Sequence, residues 1–347
     1  MSKRTTINDI ARELGLTSAS VSRALNDHPR ISVDTKKSVQ AKALEMNYRQ
    51  NKLASSLRSG KSHTIGVIIP SAQINFFGSV VHGIQNMASV NGYTIILYQS
   101  EENQALEQKA IETFLDARVD GILVSISKET TDYSHFVELK KKKIPLVFFD
   151  RNNESLKIPS VVIDDFKGAY RATAHLIEMG YRNIMHVTGA PHLKAFKDRL
   201  NGYKAAMADY KMPYSEASIY NGNISIESGK EAVDYFLSLE TKPDAIFAVE
   251  DFSALGVMQR LKELKIIIPK EFGVIGFANE SFGEYISPSL STVDQQTVEM
   301  GKKSFELLLE IIENGVDDTS EENIILEPVL YFRESSRRVK LNQMAKY

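Results

Sequence analysis

The sequence predicts a small all-helical head followed by an α/β body that contains parallel sheets. Within residues 1–50, apolar residues recur at helical spacing in three short runs, and turn residues separate these runs. From residue 63 onward, short apolar runs alternate with longer amphipathic stretches, which is the pattern of strands that alternate with helices. A length of 347 residues with 43% hydrophobic side chains is enough for two or three domains with a large core.

The first predicted helix begins after Thr6. Thr6 and Asp9 have the spacing of a capping box, and Gly15 provides a residue that tolerates positive φ where the helix ends. The residues predicted to face inward are Ile7, Ile10, Ala11 and Leu14. This spacing predicts an amphipathic helix over residues 7–14.

Two further helices are predicted in the head. Thr17 is placed to cap a helix over residues 18–25, and the sequence Asn-Asp-His-Pro at 26–29 ends it. A third helix is predicted over residues 32–46. The residues of these two helices predicted to face inward are Val21, Leu25, Val39, Ala43 and Met46. Three short helices with a glycine turn between the first two predict a helix-turn-helix fold.

Positive charge is concentrated in the first sixty residues. They contain eleven Lys and Arg against five Asp and Glu, although the whole chain has 42 basic and 44 acidic residues. The second helix carries the short or basic side chains Ser18, Ala19, Ser20, Ser22 and Arg23, which let a helix sit deep in the major groove of DNA. A basic head on an acidic body predicts a polyanion-binding module joined to a unit with another role. A solvated basic face is the alternative.

Residues 51–60 (NKLASSLRSG) follow the head. They have too little apolar surface to hold a helix in isolation, because short isolated helices are marginal in water. Two interpretations remain open for this segment. It is either a plain linker or a helix that forms only on DNA, paired with its copy in a dimer.

Short apolar runs in the body predict buried strands. They cover residues 65–69, 93–98, 121–124, 145–149, 184–187, 245–249 and 273–277. Helical stretches such as 77–90 and 106–117 lie between them. Strands that alternate with helices over this length predict parallel sheets with helices on both faces.

The sequence carries no signal of an enzyme or a metal site. It has no cysteine, which excludes a disulfide framework, a cysteine-ligated metal and a thiol nucleophile. Gly60, Lys61 and Ser62 resemble the end of a P-loop, but Ser55 stands where that motif requires glycine. The histidines do not fall at metal-ligand spacing, and neither Gly-x-Ser-x-Gly nor His-Glu-x-x-His occurs. No catalytic residue, metal or cofactor is therefore predicted.

The chain is expected to act in the cytoplasm. Its N-terminal stretch lacks the apolar region of a signal peptide, and no apolar run reaches the length that spans a membrane.

Four segments carry a family resemblance: residues 6–11 (TINDIA), 15–17 (GLT), 21–26 (VSRALN) and 53–58 (LASSLR). They closely resemble the lactose- and purine-repressor (LacI/GalR) family of bacterial transcriptional regulators, and the resemblance covers essentially the whole chain. It implies that a homodimer binds a near-palindromic DNA operator. The implied DNA contacts are Ser18, Ala19 and Arg23 in the major groove, Thr17, Ser22, Asn26 and Tyr48 on phosphates, and Ala54 with the apolar wedge Leu57 in the minor groove.

The resemblance also implies a periplasmic-binding-protein-like core with two parallel-sheet subdomains. The expected organisation is a helix-turn-helix domain at 1–50, a hinge helix and linker at 51–62, and an effector-binding core at 63–341. The first subdomain is expected over 63–163 and 294–324, and the second over 164–293 and 325–341. The chain then crosses between them near Asp164, Asp294 and Glu327, and these crossings form a hinge. An effector in the cleft biases the closed arrangement and so changes operator affinity.

Eight residues are expected to contact this effector: Phe76, Phe77, Asp150, Arg199, Glu250, Asp251, Asn279 and Gln295. Phe76 and Phe77 follow the first strand, where the family places aromatic rings against a sugar or a base; two core phenylalanines are the alternative. Asp150 and its neighbour Arg151 follow a predicted strand, and open α/β sheets bind ligands at that end. The remaining five match cleft positions of the family or lie beside them.

Two departures from the family pattern bear on the effector. Glu250 stands where relatives have a small or neutral residue, and Ala278 stands where the lactose and purine repressors have an aspartate. The negative charge of Glu250 disfavours a phosphorylated or carboxylated effector, whereas Lys194 and Lys197 act in the opposite direction. A neutral sugar or oligosaccharide is therefore the expected effector.

The expected function is that of a sugar-responsive repressor of carbohydrate-utilisation genes. Two alternatives come from other classes of protein. One is a solute-binding protein without a DNA function, and the other is a cytoplasmic α/β enzyme that modifies a sugar.

Overall fold

The structure is a computed structural model that describes residues 5–48, 60–191, 193–315 and 323–338. The chain divides into two compact units, Met1–Ser62 and His63–Tyr347. We call the first unit the head and the second unit the body.

Three helices make up the described part of the head: α1 (Ile7–Leu14), α2 (Ser18–Leu25) and α3 (Val33–Glu45). Thr6 and Asp9 form the predicted capping box, and Gly15 ends α1 with a φ of 63°. Thr17 caps α2 by accepting a hydrogen bond from the amide of Ser20. The buried core of the head consists of Ile10, Ala11, Val21, Ala24, Val39 and Ala43. The predicted helix-turn-helix fold is confirmed.

Two parallel sheets form the body. Six strands belong to the first sheet: β1 (Thr64–Ile69), β2 (Thr94–Gln99), β3 (Gly121–Val124), β4 (Leu146–Phe149), β5 (Ser160–Ile163) and β11 (Asn323–Leu326), in the order β11-β5-β4-β3-β1-β2. Four strands belong to the second: β6 (Ile184–Thr188), β7 (Ile219–Asn221), β8 (Ala245–Ala248) and β9 (Gly273–Ile275), in the order β7-β6-β8-β9. An antiparallel pair, β10 (Thr292–Asp294) and β12 (Val329–Tyr331), lies beside β9.

Helices cover the sheets of the body. They are α4 (Asn75–Val90), α5 (Gln104–Asp116), α6 (Ser134–Lys141), α7 (Asp165–Glu178), α8 (Lys194–Asp209), α9 (Ile226–Ser238), α10 (Asp251–Glu263) and α11 (Thr297–Asn314). α4 and α11 approach closely at Gly83 and Gly301, where a Cβ atom would lie about 2 Å from a backbone oxygen of the other helix. None of the described helices is long and apolar enough to cross a membrane.

The chain passes between the two halves of the body at three places. It leaves the first sheet after β5 and enters α7, which packs on the second sheet. It returns between β10 and α11, and α11 packs in the core of the first sheet. It leaves again between β11 and β12. This topology places the carboxyl ends of the strands of both sheets around one cleft, as in other open α/β folds that bind ligands.

Candidate nucleic-acid interface and ligand cavity

One face of α2 is open to solvent. Ala19 and Arg23 are exposed, and Ser18 is half-buried. The Ser18 hydroxyl donates a hydrogen bond to Oδ1 of Asn8 at 2.6 Å, which ties the start of α2 to α1. The Arg23 side chain makes no hydrogen bond or ion pair with another described residue, so its guanidinium is available to an external acceptor.

Three of the four residues expected to contact phosphates lie at or beyond the ends of helices in the head, whereas Ser22 lies within α2. Thr17 caps α2, and Asn26 follows that helix and donates from Nδ2 to the Ser22 carbonyl at 2.7 Å. Tyr48 is half-buried and packs against the head core. The roles of these residues on DNA stay predictions. Ala54 and Leu57 lie outside the described residues.

Several cations of the head are not neutralised within it. Lys36 and Lys42 form ion pairs of 2.7 Å with carboxylates of the head. Arg23, Arg30 and Lys37 form no ion pair with another described residue. These three side chains keep their charge available for a polyanion.

A cavity of about 1120 Å³ is lined by residues from both halves of the body. Six of the eight expected effector contacts line it: Phe76, Phe77, Asp150, Arg199, Glu250 and Gln295. In the part of the chain that the structure describes, no group of three His, Asp or Glu side chains is arranged to hold a metal ion. Aromatic rings, carboxylates and the guanidinium of Arg199 are among the groups that line the cavity.

Phe76 and Phe77 form an aromatic wall of the cavity. Their rings meet edge to face, with centroids 5.0 Å apart and an interplanar angle of 87°. Phe77 also belongs to the hydrophobic core of the first half. Phe77 is therefore both a core residue, which was the alternative interpretation, and a residue that lines the cavity.

Asp150 follows β4 with a φ of 60°, and the turn directs its carboxylate into the cavity. The Ser125 hydroxyl donates to this carboxylate at 3.3 Å. Arg151 lies 3.8 Å away through Nε, but its Nη1 is bonded to Glu102 at 2.7 Å. Burial raises the pKa of Asp150 to about 6, because the charged form loses its hydration and gains little in return.

Arg199, on α8, is almost completely buried. Its Nε donates to Asp165 at 2.7 Å, and its Nη1 donates to the Val249 carbonyl at 2.7 Å. Its guanidinium carbon lies 3.7 Å from the ring centroid of Phe277. These contacts fix the guanidinium, and Nη2 makes no hydrogen bond with another described residue. Burial raises the pKa of Asp165, although the charge of Arg199 acts against that rise.

Glu250 lies between β8 and α10 and caps that helix. Its Oε2 accepts a hydrogen bond from the Phe252 amide at 2.6 Å, while its carboxylate lines the cavity. Burial, with the neighbouring charge of Asp251 second, raises the pKa of Glu250 to about 8. A carboxyl with that pKa is largely protonated at neutral pH when the cavity holds no compensating cation.

The structure does not bring Asp251 and Asn279 to the cavity, which corrects the expectation for these two residues. The Asp251 carboxylate is buried and accepts hydrogen bonds from the Thr292 hydroxyl at 2.7 Å and the Glu280 amide at 2.8 Å. Asn279 donates from Nδ2 to Asp294 and accepts from Arg333. Both side chains therefore hold β10 and the loop after β9 in place rather than facing a ligand.

Gln295 lies at the second crossing between the halves and is only 5% exposed. Its side-chain amide lines the cavity and makes no hydrogen bond with another described residue. Because this amide faces the cavity and has no partner among the described residues, it can offer a donor and an acceptor to a ligand.

Glu280 is a lining residue that the sequence analysis did not identify. It is 6% exposed, and its Oε2 accepts a hydrogen bond from Nδ2 of Asn75 across the cleft at 2.9 Å. Its neighbours Ala278 and Asn279 drew attention through the family pattern, but no local signal marked Glu280 itself. Asp165, next to the predicted crossing at Asp164, is paired with Arg199, which the sequence analysis did not foresee.

Lys194, expected to offset the charge of Glu250, is already neutralised. Its Nζ lies 2.6 Å from Asp198 and 3.7 Å from Glu154. Lys197 is not among the residues that line the cavity. The balance of charge around the ligand is therefore more negative than the sequence indicated.

Comparisons with known proteins agree with this architecture. A family model described as periplasmic binding proteins and sugar binding domain of LacI family matches residues 62–339. A second model, described as bacterial regulatory proteins, lacI family, matches residues 6–51. Together they cover the described parts of both the head and the body.

Similar proteins include regulators of known role. The chain is 33% identical over 337 residues to catabolite control protein A of Priestia megaterium, across 96% of this chain and 99% of that protein. It is 33% identical over 309 residues to the HTH-type transcriptional repressor PurR of Vibrio atlanticus (strain LGP32), across 89% of this chain and 92% of that protein.

Among solved structures, the lac repressor dimer bound to operator and the anti-inducer ONPF has a TM-score of 0.85 at 22% identity, over 97% of this chain and all of that chain. At that identity the match shows the fold. A complex of the transcriptional regulator CelR with cellobiose has a TM-score of 0.70 at 25% identity, over 96% of this chain and all of that chain.

Proposed function

The chain belongs to the LacI family of bacterial regulatory proteins, and we propose that it represses carbohydrate-utilisation genes in response to a sugar-type effector bound in the body cavity. As a member of this family it is a DNA-binding transcriptional regulator, and we propose that it acts as a dimer on operator DNA. The observation that carries the proposal is the combination, in one chain, of a helix-turn-helix head whose exposed Arg23 has no ion pair with another described residue and a cavity lined by aromatic rings, Arg199 and Gln295.

The relatives compared above are named as regulators. We propose that this chain is likewise not an enzyme and that its cavity binds a ligand without converting it. The site of action is proposed to be the cytoplasm, where the operator DNA is. The match of residues 6–51 to the regulatory head speaks against both a solute-binding protein without DNA function and a sugar-modifying enzyme.

The proposed DNA contacts follow the positions expected from the sequence. α2 enters the major groove with Ser18, Ala19 and Arg23 towards the bases, because short side chains at its start permit close approach. About six to ten phosphate contacts per dimer make affinity fall steeply as salt concentration rises.

Fluorescence anisotropy tests this function directly. The full-length protein is titrated on near-palindromic DNA from upstream of its own and neighbouring genes across a salt series, with a scrambled duplex of the same composition as the control. Tight binding to one duplex with a steep salt slope is the expected result. Absence of binding to any duplex at low salt would refute the regulatory function and favour a solute-binding role.

Replacement of Arg23 by alanine is expected to cost about 1–3 kcal/mol of operator binding and to relax the preference at one base position. Arg30→Ala is the matched control, because Arg30 is an exposed head cation without an ion pair among the described residues. It should weaken binding without changing the base preference. Binding of a library of single-base operator variants measures both effects, and an unchanged preference in Arg23→Ala would show that α2 does not read bases through this residue.

Replacement of Leu57 by alanine is expected to weaken binding to the operator much more than binding to the scrambled duplex. The reason is the proposed wedge, since only a specific complex opens the central base step and buries the leucine. Anisotropy on both duplexes at one salt concentration measures the ratio. Equal losses on the two duplexes would eliminate the wedge from the proposed mode of binding.

The proposed effector is a polyhydroxylated, sugar-type molecule without phosphate or carboxylate. Phe76 and Phe77 offer ring surfaces for the C–H face of a sugar, and Asp150, Arg199 and Gln295 offer acceptors and donors for hydroxyl groups. The carboxylates in the wall repel an anionic ligand. The CelR structure, whose ligand is cellobiose, supports a sugar in a cavity of this fold.

A further inference from the structure

Three of the four described cations that line the cavity are paired with carboxylates, whereas several lining carboxylates form no ion pair with another described residue. Arg199 is bonded to Asp165 at 2.7 Å, and Lys194 to Asp198 at 2.6 Å. Arg151 is bonded at 2.7 Å to Glu102, which does not line the cavity. Lys128, the remaining described cation of the wall, is exposed. The charge that remains inside the cavity is therefore negative.

Glu250 and Glu280 are two carboxyl groups of the wall that form no ion pair with another described residue. They follow β8 and β9, two neighbouring strands of the second sheet, so both carboxylates come from the same wall of the cleft. Each uses one oxygen, since Oε2 of Glu250 caps α10 and Oε2 of Glu280 accepts from Asn75. Neither Oε1 accepts a hydrogen bond from another described residue, although the Glu280 side chain is more than nine-tenths buried.

Charging a carboxyl that has lost hydration is costly without a cation, and this cost is the main reason that the pKa of Glu250 is raised. The charges of Asp251 and, to a smaller extent, Glu280 add to that rise. A neutral hydroxyl would satisfy a hydrogen bond here but would not favour the ionised form of these carboxyls. An ammonium group would supply both the charge and the donors that two free Oε1 atoms can accept.

We propose that the effector is an amino sugar, whose protonated amine binds Glu250 and Glu280 while its hydroxyl groups bind Asp150, Arg199 and Gln295. This inference rests on the proposed function and narrows the class of effector. The effector is still a polyhydroxylated ring, but it is a cationic sugar instead of the neutral sugar expected from the sequence. The unpartnered amide of Gln295, 5% exposed and lining the same cavity, is independent evidence that this cavity is built for a polar ligand.

Matched pairs of sugars test the charge separately from the ring. Isothermal titration calorimetry of the full-length protein compares D-glucosamine with D-glucose, D-galactosamine with D-galactose, and D-mannosamine with D-mannose. At least one amine should bind tenfold or more tightly than its hydroxyl partner. N-acetylation of that amine, which removes its charge, should abolish the advantage.

Variants locate the ammonium group. Glu250→Gln keeps an oxygen to cap α10 and removes the charge, so it should weaken the amine at least tenfold and leave the matched hexose within twofold. Glu280→Gln should act in the same way. Glu284→Gln is the control, because Glu284 is exposed, pairs with Arg333 and does not line the cavity. It should leave both affinities unchanged.

Three outcomes would overturn the proposal: a hexose that binds as tightly as its amine, a phosphorylated sugar that binds more tightly than either, or a panel in which no sugar binds. Operator binding, measured by anisotropy in the same samples, decides the regulatory function independently. A protein that binds its operator but no amino sugar refutes this inference alone. A protein that binds no DNA refutes the proposed function, whatever the calorimetry shows.

Discussion

Replacement of Arg199 by methionine is expected to abolish effector binding, by at least a hundredfold, while operator binding without effector survives. The guanidinium is the one buried cation that the described residues place at the centre of the cavity, and its Nη2 is free to donate. Methionine keeps the length of the side chain and its packing on Phe277 but donates nothing. Calorimetry with the effector and anisotropy with the operator measure the two functions separately.

The same change leaves Asp165 as a buried carboxylate without its cation, which is expected to cost about 3–5 kcal/mol of stability. The double variant Arg199→Met with Asp165→Asn removes both charges and should recover much of that loss without restoring effector binding. Lys204→Met is the control on the same helix, because Lys204 pairs weakly with exposed Glu216. An effector that still binds the double variant would show that Arg199 only holds Asp165 in place.

The head was predictable because its information is local. A capping box, a glycine with positive φ and apolar residues at helical spacing each involve residues within one or two turns. Only Ala24 was missing from the predicted core of α2, since alanine gives a weak apolar signal and Leu25 beside it gives a stronger one. The sequence of residues 51–60 left two interpretations open, and residues 51–59 lie outside the described part of the chain.

The strands of the body divide into those that the sequence predicted and those that it did not. The predicted strands are continuous apolar runs because helices cover both faces of a parallel sheet, and they appear within one or two residues of their expected bounds. β5, β7, β10, β11 and β12 were not predicted. The last four are short and lie in segments of mixed polarity, and β11 alternates exposed and half-buried residues at the edge of its sheet. Their pairing depends on chain segments far away in sequence, so no local pattern shows it.

The cavity shows the same division between local and distant information. Asp150 directly follows β4, and that position indicated the ligand-binding end of the sheet, whereas Glu250 was indicated by the family resemblance. Asp251 is one residue further on, in the first turn of α10, and faces Thr292 instead. Whether a carboxylate faces a cavity or a neighbouring strand depends on helix phase and on partners 29 and 41 residues away, which a single sequence does not specify.

Replacement of Glu107 by alanine is expected to give the largest loss of stability outside the effector contacts, about 3–5 kcal/mol. Glu107 lies on α5 with no exposed surface and accepts three hydrogen bonds. The donors are the Ser127 amide at 2.7 Å, the Thr130 hydroxyl at 2.9 Å and Nε2 of His135 at 2.9 Å. Without the carboxylate these buried donors lose their acceptor, and each unsatisfied group costs about 1–3 kcal/mol.

The loss should also reach the effector, because Ser127 and Thr130 line the cavity on the loop that this carboxylate holds. Urea denaturation of the full-length protein measures stability, and hydrogen exchange at the Ser127 amide measures the order of the loop. Glu112→Ala, an exposed change on the same helix, should leave the free energy of unfolding within about 0.5 kcal/mol of that of the parent protein.

Two outcomes would show that the Glu107 carboxylate does not order this wall of the cavity. One is a Glu107→Ala protein as stable as that control, and the other is a loss of stability while the Ser127 amide stays protected. The expected result is early exchange at Ser127 together with weaker effector binding, since a loop that must be ordered on binding lowers affinity by the free energy of ordering it.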